Sequence, residues 1–278
     1  IIGGPISAAL LSLDGWLGLR GWQWLFLLEG IPSVLVGLLV LRLLPERPRD
    51  ARWLSEGERA WLTRTLEREQ TAVHASHAAE MHAALRTPLV WWLGLSYFLL
   101  VMALYGFTLW LPQLLKAAAG FSNTEIGFAS ALCYAVAAVG MVLVGRRSDR
   151  TGERHLHLAA AAAVGVVGFV AVTRAAGPVG LLATLSLTAF GVLGWLGPFW
   201  ALPTAFLRGR AAAGGVALIN SMGALGGFVG PYLLGRLKQQ SGNFTSGLLL
   251  LALAMLLAVA VTLAMRRRFR AAPAPTTP

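Results

Sequence analysis

Polar side chains are scarce inside the apolar runs of this chain, so the few found there are the first candidates for chemistry. Between residues 89 and 266 the candidates singled out are Tyr97, Tyr105, Tyr134, Trp200, Asn220 and Ser221. An Asn amide offers donors and an acceptor, and an indole adds one donor to a broad ring face. Such groups can donate to a polar or anionic solute. They can equally hydrogen-bond one helix to another. One carboxylate, Glu29, also lies well inside an apolar run. About seven residues into its helix, it sits ~10 Å deep at 1.5 Å per residue. A carboxyl group at that depth is a candidate proton carrier. Gly30 and Pro32 beside it favour the other role, an acceptor for freed backbone or Trp donors. No nucleophile stands beside a base, no metal set lies in an apolar run, and no phosphate-binding loop is present. The usual marks of an enzyme are therefore missing.

A highly charged short stretch is Gly145-Arg146-Arg147-Ser148-Asp149-Arg150-Thr151-Gly152-Glu153-Arg154. It separates two apolar runs, 126–144 and 156–173, and a glycine stands at its start and near its end. This pattern predicts a tight turn at a membrane surface. Its arginines mark that surface as cytoplasmic, because positive residues are kept on the inner side.

Composition supports a membrane setting. Hydrophobic residues make up 56% and charged residues 13%, against about 25% charged in a soluble domain. Mean hydropathy is +0.67. The net charge of +11 does not indicate a nucleic-acid partner. The arginines cluster at the ends of apolar runs, where anionic lipid attracts them. The single cysteine, Cys133, lies within an apolar run and has no partner for an internal disulfide.

A membrane span needs about 20 mostly apolar residues. The sequence predicts spans near 22–44, 89–111, 125–145, 157–175, 178–202, 213–235 and 245–265, and a partial one at 1–13. The chain opens on Ile1 inside an apolar run, with no basic leader region. That reading expects a fragment whose first helix is cut short. Placing 45–88 in the cytoplasm puts 18 basic residues inside and 5 outside. The bias favours this orientation, with linker and C-terminal tail both inside an inner membrane.

The linker 45–88 is the only long polar stretch. Pro45 and Pro48 end the helix before it. Ser55 and Glu58 form a capping box, which opens a short helix carrying Trp61, Leu62 and Leu66. One apolar and one charged face suit a helix on the membrane surface, and a solvated linker helix fits equally. His74, His77 and Glu80 are three residues apart, with His82 beyond. Metal binding there lacks a cysteine and a water-excluding pocket, so no metal and no cofactor is expected.

Several stretches, in order, resemble one family. They are Gly21-Trp22-Gln23-Trp24 through Pro32, Arg47 to Ser55, and Tyr105 to Gln113 with Trp110-Leu111-Pro112. Ser122 to Gly127, Ser148 to Arg154, Pro198-Phe199-Trp200 to Thr204, and Ala217 to Pro231 follow. The chain resembles the anion:cation symporter family of the major facilitator superfamily. Its tartrate, phthalate, hydroxyphenylacetate and sugar-acid permeases are similar over nearly the whole length. In the loop signature of that superfamily, Gly145, Asp149, Arg150, Gly152 and Arg154 match, and Glu153 departs.

The resemblance implies an all-α membrane protein of twelve helices in two bundles, cut here to about eight. Residues 1–44 would be the last two helices of the first bundle, 45–88 the linker, 89–266 the six-helix second bundle and 267–278 the tail. It implies a secondary carrier of small organic anions, coupled to protons, working by alternating access and monomeric when whole. A fragment of it would be inactive alone. The resemblance further implies that Asn220 and Trp200 face the substrate, with Tyr105 and Ser221 nearby, and that the Gly145–Arg154 motif serves as a gate. The other functional class left open is a membrane-embedded structural or regulatory subunit, or a degenerate remnant. The glycines of 214–235 allow either static packing or a sliding helix.

Overall fold

The computed structural model describes residues 2–51, 53–72, 82, 84–206 and 210–269. Every regular element among the described residues is helical. The chain divides into two compact units, residues 6–76 and residues 77–278 with 1–5. His74, His77 and Glu80 lie outside the described residues.

The N-terminal helices are α1 (Gly3–Leu11) and α2 (Gly21–Leu43). Their connection is tied locally. Asp14 Oδ1 accepts from the Gly21 N–H at 2.7 Å, and the Trp24 indole donates to the Trp16 carbonyl at 3.1 Å. Further along, the Ser7 hydroxyl donates to Glu29 at 2.8 Å. Glu29 thus has a hydroxyl partner on the neighbouring helix, where the sequence reading named backbone or Trp donors. Helix α3 (Glu56–Ala72) starts where the linker's capping box places it. The Ser55 N–H and hydroxyl donate to Glu58 at 2.9 and 2.7 Å. These bonds hold the Glu58 carboxyl below its ordinary value of 4.5. A lowered value means the box is intact above that pH and is lost as pH falls through the folded-state value.

The larger unit contains α4 (Pro88–Ala119), α5 (Asn123–Thr151), α6 (Arg154–Val172), α7 (Gly177–Gly194), α8 (Leu196–Phe206), α9 (Arg210–Ser241) and α10 (Thr245–Arg268). With α7 and α8 counted as one stretch and α2 added, seven segments among the described residues are long and apolar enough to cross a membrane. Helix α4 packs against α9 and α10, α7 against α5 and α6, and α6 against α10. On α4 the buried side chains Leu93, Leu100, Phe107 and Leu111 recur at helical spacing and form one wall of the core. A second polar tie crosses the core, where the Ser96 and Thr262 hydroxyls meet at 3.3 Å.

Glycine decides how closely these helices approach. A Cβ on Gly226 would overlap the carbonyl oxygen of Phe98, and one on Gly230 that of Met102. Helices α4 and α9 therefore touch backbone to backbone, which only glycine permits. The same holds between α6 and α7, where a Cβ on Gly191 would overlap Gly165. At Gly226 and Gly230 the glycines make a closely packed seam.

Three boundaries differ from the sequence reading. Helix α4 runs past Pro112 to a left-handed cap at Gly120 (φ 65°). Pro112 loses one ladder bond, which a packed helix tolerates. Helix α5 carries on to Thr151, so the basic stretch is mostly its last turns, and the turn itself is confined to Gly152 and Glu153. Residues 178–202 do not form one helix, because the ladder breaks at Trp195. Pro198 has no N–H to give the Gly194 carbonyl, and Gly194 and Gly197 weaken the helix beside it.

Candidate functional site

Tyr97 and Tyr105 lie two turns apart on α4, and both rest against glycines of α9. A Cβ on Gly223 would overlap the Tyr97 ring, and one on Gly227 would come within 3.1 Å of the Tyr105 ring. Between these rings and Asn220, one turn before Gly223, a cleft of about 330 Å³ opens. Val101, Ala224 and Gly227 complete its floor. Pockets of a few hundred Å³ with a few convergent polar groups are the usual form of a small-ligand site.

Asn220 is exposed in this cleft, and its amide makes no hydrogen bond among the described residues. A residue that only pairs helices would show a partner on the facing helix. Ser221 is different: its hydroxyl donates to the Ala217 carbonyl of its own helix at 2.9 Å, and it does not line the cleft. Trp200 is half-buried one ring away, its indole edge-on to Tyr97 at 5.2 Å. Tyr97 is also stacked on Phe199 at 4.7 Å, and Trp195 meets both rings edge-on. The aromatic cluster sits at the break between α7 and α8 and fixes the Tyr97 ring. Of the four residues expected at the site, the cleft brings together Asn220 and Tyr105, with Trp200 behind Tyr97. Tyr97 and Phe199 were not among those four. The signal for Tyr97 was its spacing of two turns from Tyr105 on one apolar helix. That for Phe199 was its place beside Trp200.

The charged motif lies at the far end of the same bundle from the α4–α5 and α6–α7 turns. Gly145, Asp149 and Arg150 belong to the last turns of α5, Gly152 caps it with φ 70°, and Arg154 opens α6. The left-handed cap explains the glycine, since other residues there are strained. The Arg154 guanidinium bonds Asp149 and lies 3.2 Å from the Ser148 hydroxyl. Arg150 is exposed and makes no ion pair among the described residues. Glu153, the departure from the motif, accepts from the Arg266 guanidinium at 3.1 and 3.3 Å. The pair joins the end of α10 to the α5–α6 turn.

That contact makes a definite prediction. Exposed pairs contribute about 0.2–1 kcal/mol, and a two-bond Arg–carboxylate contact belongs near the top of that range. Glu153→Arg and Arg266→Glu should each lower the melting temperature, and the double exchange should recover most of the loss. A double mutant no more stable than the sum of the singles would show the pair uncoupled.

Several membrane-length helices packed closely through glycine define a polytopic membrane protein. The chain belongs to the major facilitator superfamily, whose pattern it matches over residues 1–231. It is 44% identical over 253 residues to an Agrobacterium vitis protein named for a proposed role in tartrate transport. It is 38% identical over 253 residues to a quinolone resistance transporter of Acinetobacter baumannii. Each alignment covers 91% of this chain and 58% of the relative. The inner membrane transport protein RhmT of Escherichia coli is 34% identical, over 90% of this chain and 58% of its own. The chain thus spans less than two thirds of these relatives.

Two solved structures share the fold. One is the fucose:proton symporter FucP of E. coli, at TM-score 0.61 and 16% identity, over 96% of this chain and 73% of that one. The other is a bacterial homologue of the human lysosomal transporter Spinster, inward-facing and unoccupied, at TM-score 0.64 and 19% identity. That match covers 99% of this chain and 67% of the other. Family membership sets the chain among transporters rather than enzymes.

Proposed function

We propose that this chain supplies one bundle of a secondary transporter for small organic anions, of the anion:cation symporter kind. The observation that carries the reading is the unpartnered Asn220 amide in the Tyr97–Tyr105 cleft. An exposed amide with its donors and acceptor free can bond a polar cargo that enters the cleft. The relative named for tartrate supports the anion class. Proton coupling, an inner-membrane location with linker and tail cytoplasmic, and a monomeric whole carrier complete the reading. Residues 1–44, 45–88 and 89–266 would be the end of one bundle, a linker and the second bundle. Glu29 has a structural partner in Ser7, so it is the weaker choice for the proton.

A direct test uses the chain itself. Cys133 is buried, so Ala224→Cys in a Cys133→Ser background places one reactive thiol in the cleft and leaves Asn220 in place. Tartrate or phthalate should slow its alkylation by a maleimide. Equal rates with and without either anion would exclude this cleft as their site.

The ring cluster favours a second reading, a cargo with a flat apolar face laid on Tyr97 or Tyr105. The quinolone resistance relative shows that such cargo occurs among similar proteins. A fluoroquinolone that protects the thiol where tartrate does not would select it.

The motif at Asp149 is assigned to gating. Its carboxylate is 70% exposed beyond the Arg154 contact, which leaves an oxygen free for a second partner. A carboxylate at a helix N-terminus gains about 0.3–1 kcal/mol when exposed. In a carrier of the relatives' length, Asp149→Asn should slow turnover severalfold at normal membrane levels. Unchanged turnover would reduce the motif to a topology signal.

A further inference from the structure

At the end of the larger unit opposite the Gly145–Arg154 turn, a cavity of about 330 Å³ lies where α4, α6 and α9 end and α7 and α10 begin. Leu114, Leu181 and Leu248 form an apolar wall, and Thr173, Asn243 and Lys238 a polar rim. Lys238 is the only charged side chain in that lining. Its ammonium is held in place, 4.4 Å from the centre of the Phe244 ring and 5.1 Å from that of Trp110. One of its protons points to the Gln113 side-chain oxygen at 3.4 Å. An ammonium carries three protons, so two are left for a ligand.

Among the described residues of the larger unit, no carboxylate pairs with this charge. Between residues 84 and 269 the sequence holds only Glu125, Asp149 and Glu153 as acids. Asp149 and Glu153 lie at the opposite end. Glu125 is taken up by its own capping box, where the Ser122 N–H and hydroxyl donate to it at 2.8 and 2.7 Å. Lys116, Arg174 and Arg236 stand near the same end as Lys238, so the surroundings add positive charge. A membrane protein keeps basic residues away from the outer side, and this end retains four.

We infer that the cavity seats the phosphate of an anionic phospholipid, with Lys238 as its charge partner. The acyl chain lies along Leu114, Leu181 and Leu248. The lining beside Lys238 is mostly apolar, which suits a lipid better than a free phosphate ion. The ring contacts hold the ammonium in the cavity, where a lysine would otherwise extend to water. This inference is independent of the transported cargo.

The chain, purified in a non-ionic detergent and supplied with lipid, is examined by native mass spectrometry. Phosphatidylglycerol should be retained in preference to phosphatidylcholine. Lys238→Gln should lose that preference by about fivefold or more, the effect of one cation beside an anionic headgroup. Lys238→Arg should restore it, and Lys116→Gln should leave it unchanged. Three results would overturn the proposal: equal retention of the two lipids, retention by Lys238→Gln equal to the parent's, or displacement of phosphatidylglycerol by millimolar inorganic phosphate. The last would point to a free-anion site. If Lys238→Gln does not fold, the lipid preference of the parent and of Lys238→Arg still decides.

Discussion

Gly230→Ala should unfold the α4–α9 pair at a temperature well below that of the parent. A methyl group at Gly230 meets the Met102 carbonyl oxygen, and at Gly226 that of Phe98. Neither neighbour is a side chain that can rotate away, so the helices must separate along their length. Overpacking costs about 1–3 kcal/mol and occasionally more. Replacing glycine by alanine inside a helix returns about 1 kcal/mol of propensity, which does not offset a backbone collision. With the cost at the upper end of its range and the propensity gain subtracted, a net loss of about 2 kcal/mol is expected at either position. At about 2–4 °C per kcal/mol for a unit of this size, melting falls by roughly 5 °C. Gly180→Ala is the control, because a Cβ there meets nothing within 4 Å. It should be neutral or slightly stabilising. Gly227→Ala is intermediate, since its neighbour at 3.1 Å is the Tyr105 ring, which can shift. Equal melting of Gly180→Ala and Gly230→Ala would show that the seam is looser than described.

Asn220→Ala should weaken binding of an organic anion with little effect on melting. A hydrogen bond to a charged group contributes about 1.5–3 kcal/mol, roughly ten- to a hundredfold in affinity. The amide has no protein partner among the described residues, so its removal leaves nothing unpaired. Asn220→Asp should be worse, because it sets a negative charge against a negative cargo. A packing residue would behave oppositely, losing expression or thermal stability first while keeping affinity. An Asn220→Ala variant with unchanged affinity and unchanged melting would remove Asn220 from the site.

The spans were legible because apolar runs of membrane length have few other uses. The start of α3 was legible because Ser55 and Glu58 are three residues apart, and a capping box is a local device. The same box at Ser122 and Glu125 stands in the sequence and opens α5. The break at Trp195 was marked as well, by Gly194, Gly197 and Pro198, but three punctuating residues in an apolar run do not say which turn yields. The Glu153–Arg266 pair was out of reach, since its members lie far apart in the chain and follow no local period. The cleft was half legible. Asn220 stood out as a lone amide, while the bedding of Tyr97 on Gly223 depends on which helix faces α9. Ser221 was the opposite case, a hydroxyl beside Asn220 that turned to its own helix.

The seam between α4 and α9 also bears on how the protein is made. More than a hundred residues separate Phe98 from Gly226. At about 5–20 residues per second, α4 resides in lipid for on the order of ten seconds before its partner is synthesised. During that interval the Ser96 hydroxyl also lacks Thr262, which is translated later still. Helix α4 must therefore be apolar enough to wait alone, while α9 is interrupted by small residues and gains most from docking on arrival. Slowing translation between them would lengthen the exposure of α4 to membrane proteases. The nascent chain is most vulnerable in that window, even though the finished bundle closes through its tightest contact there.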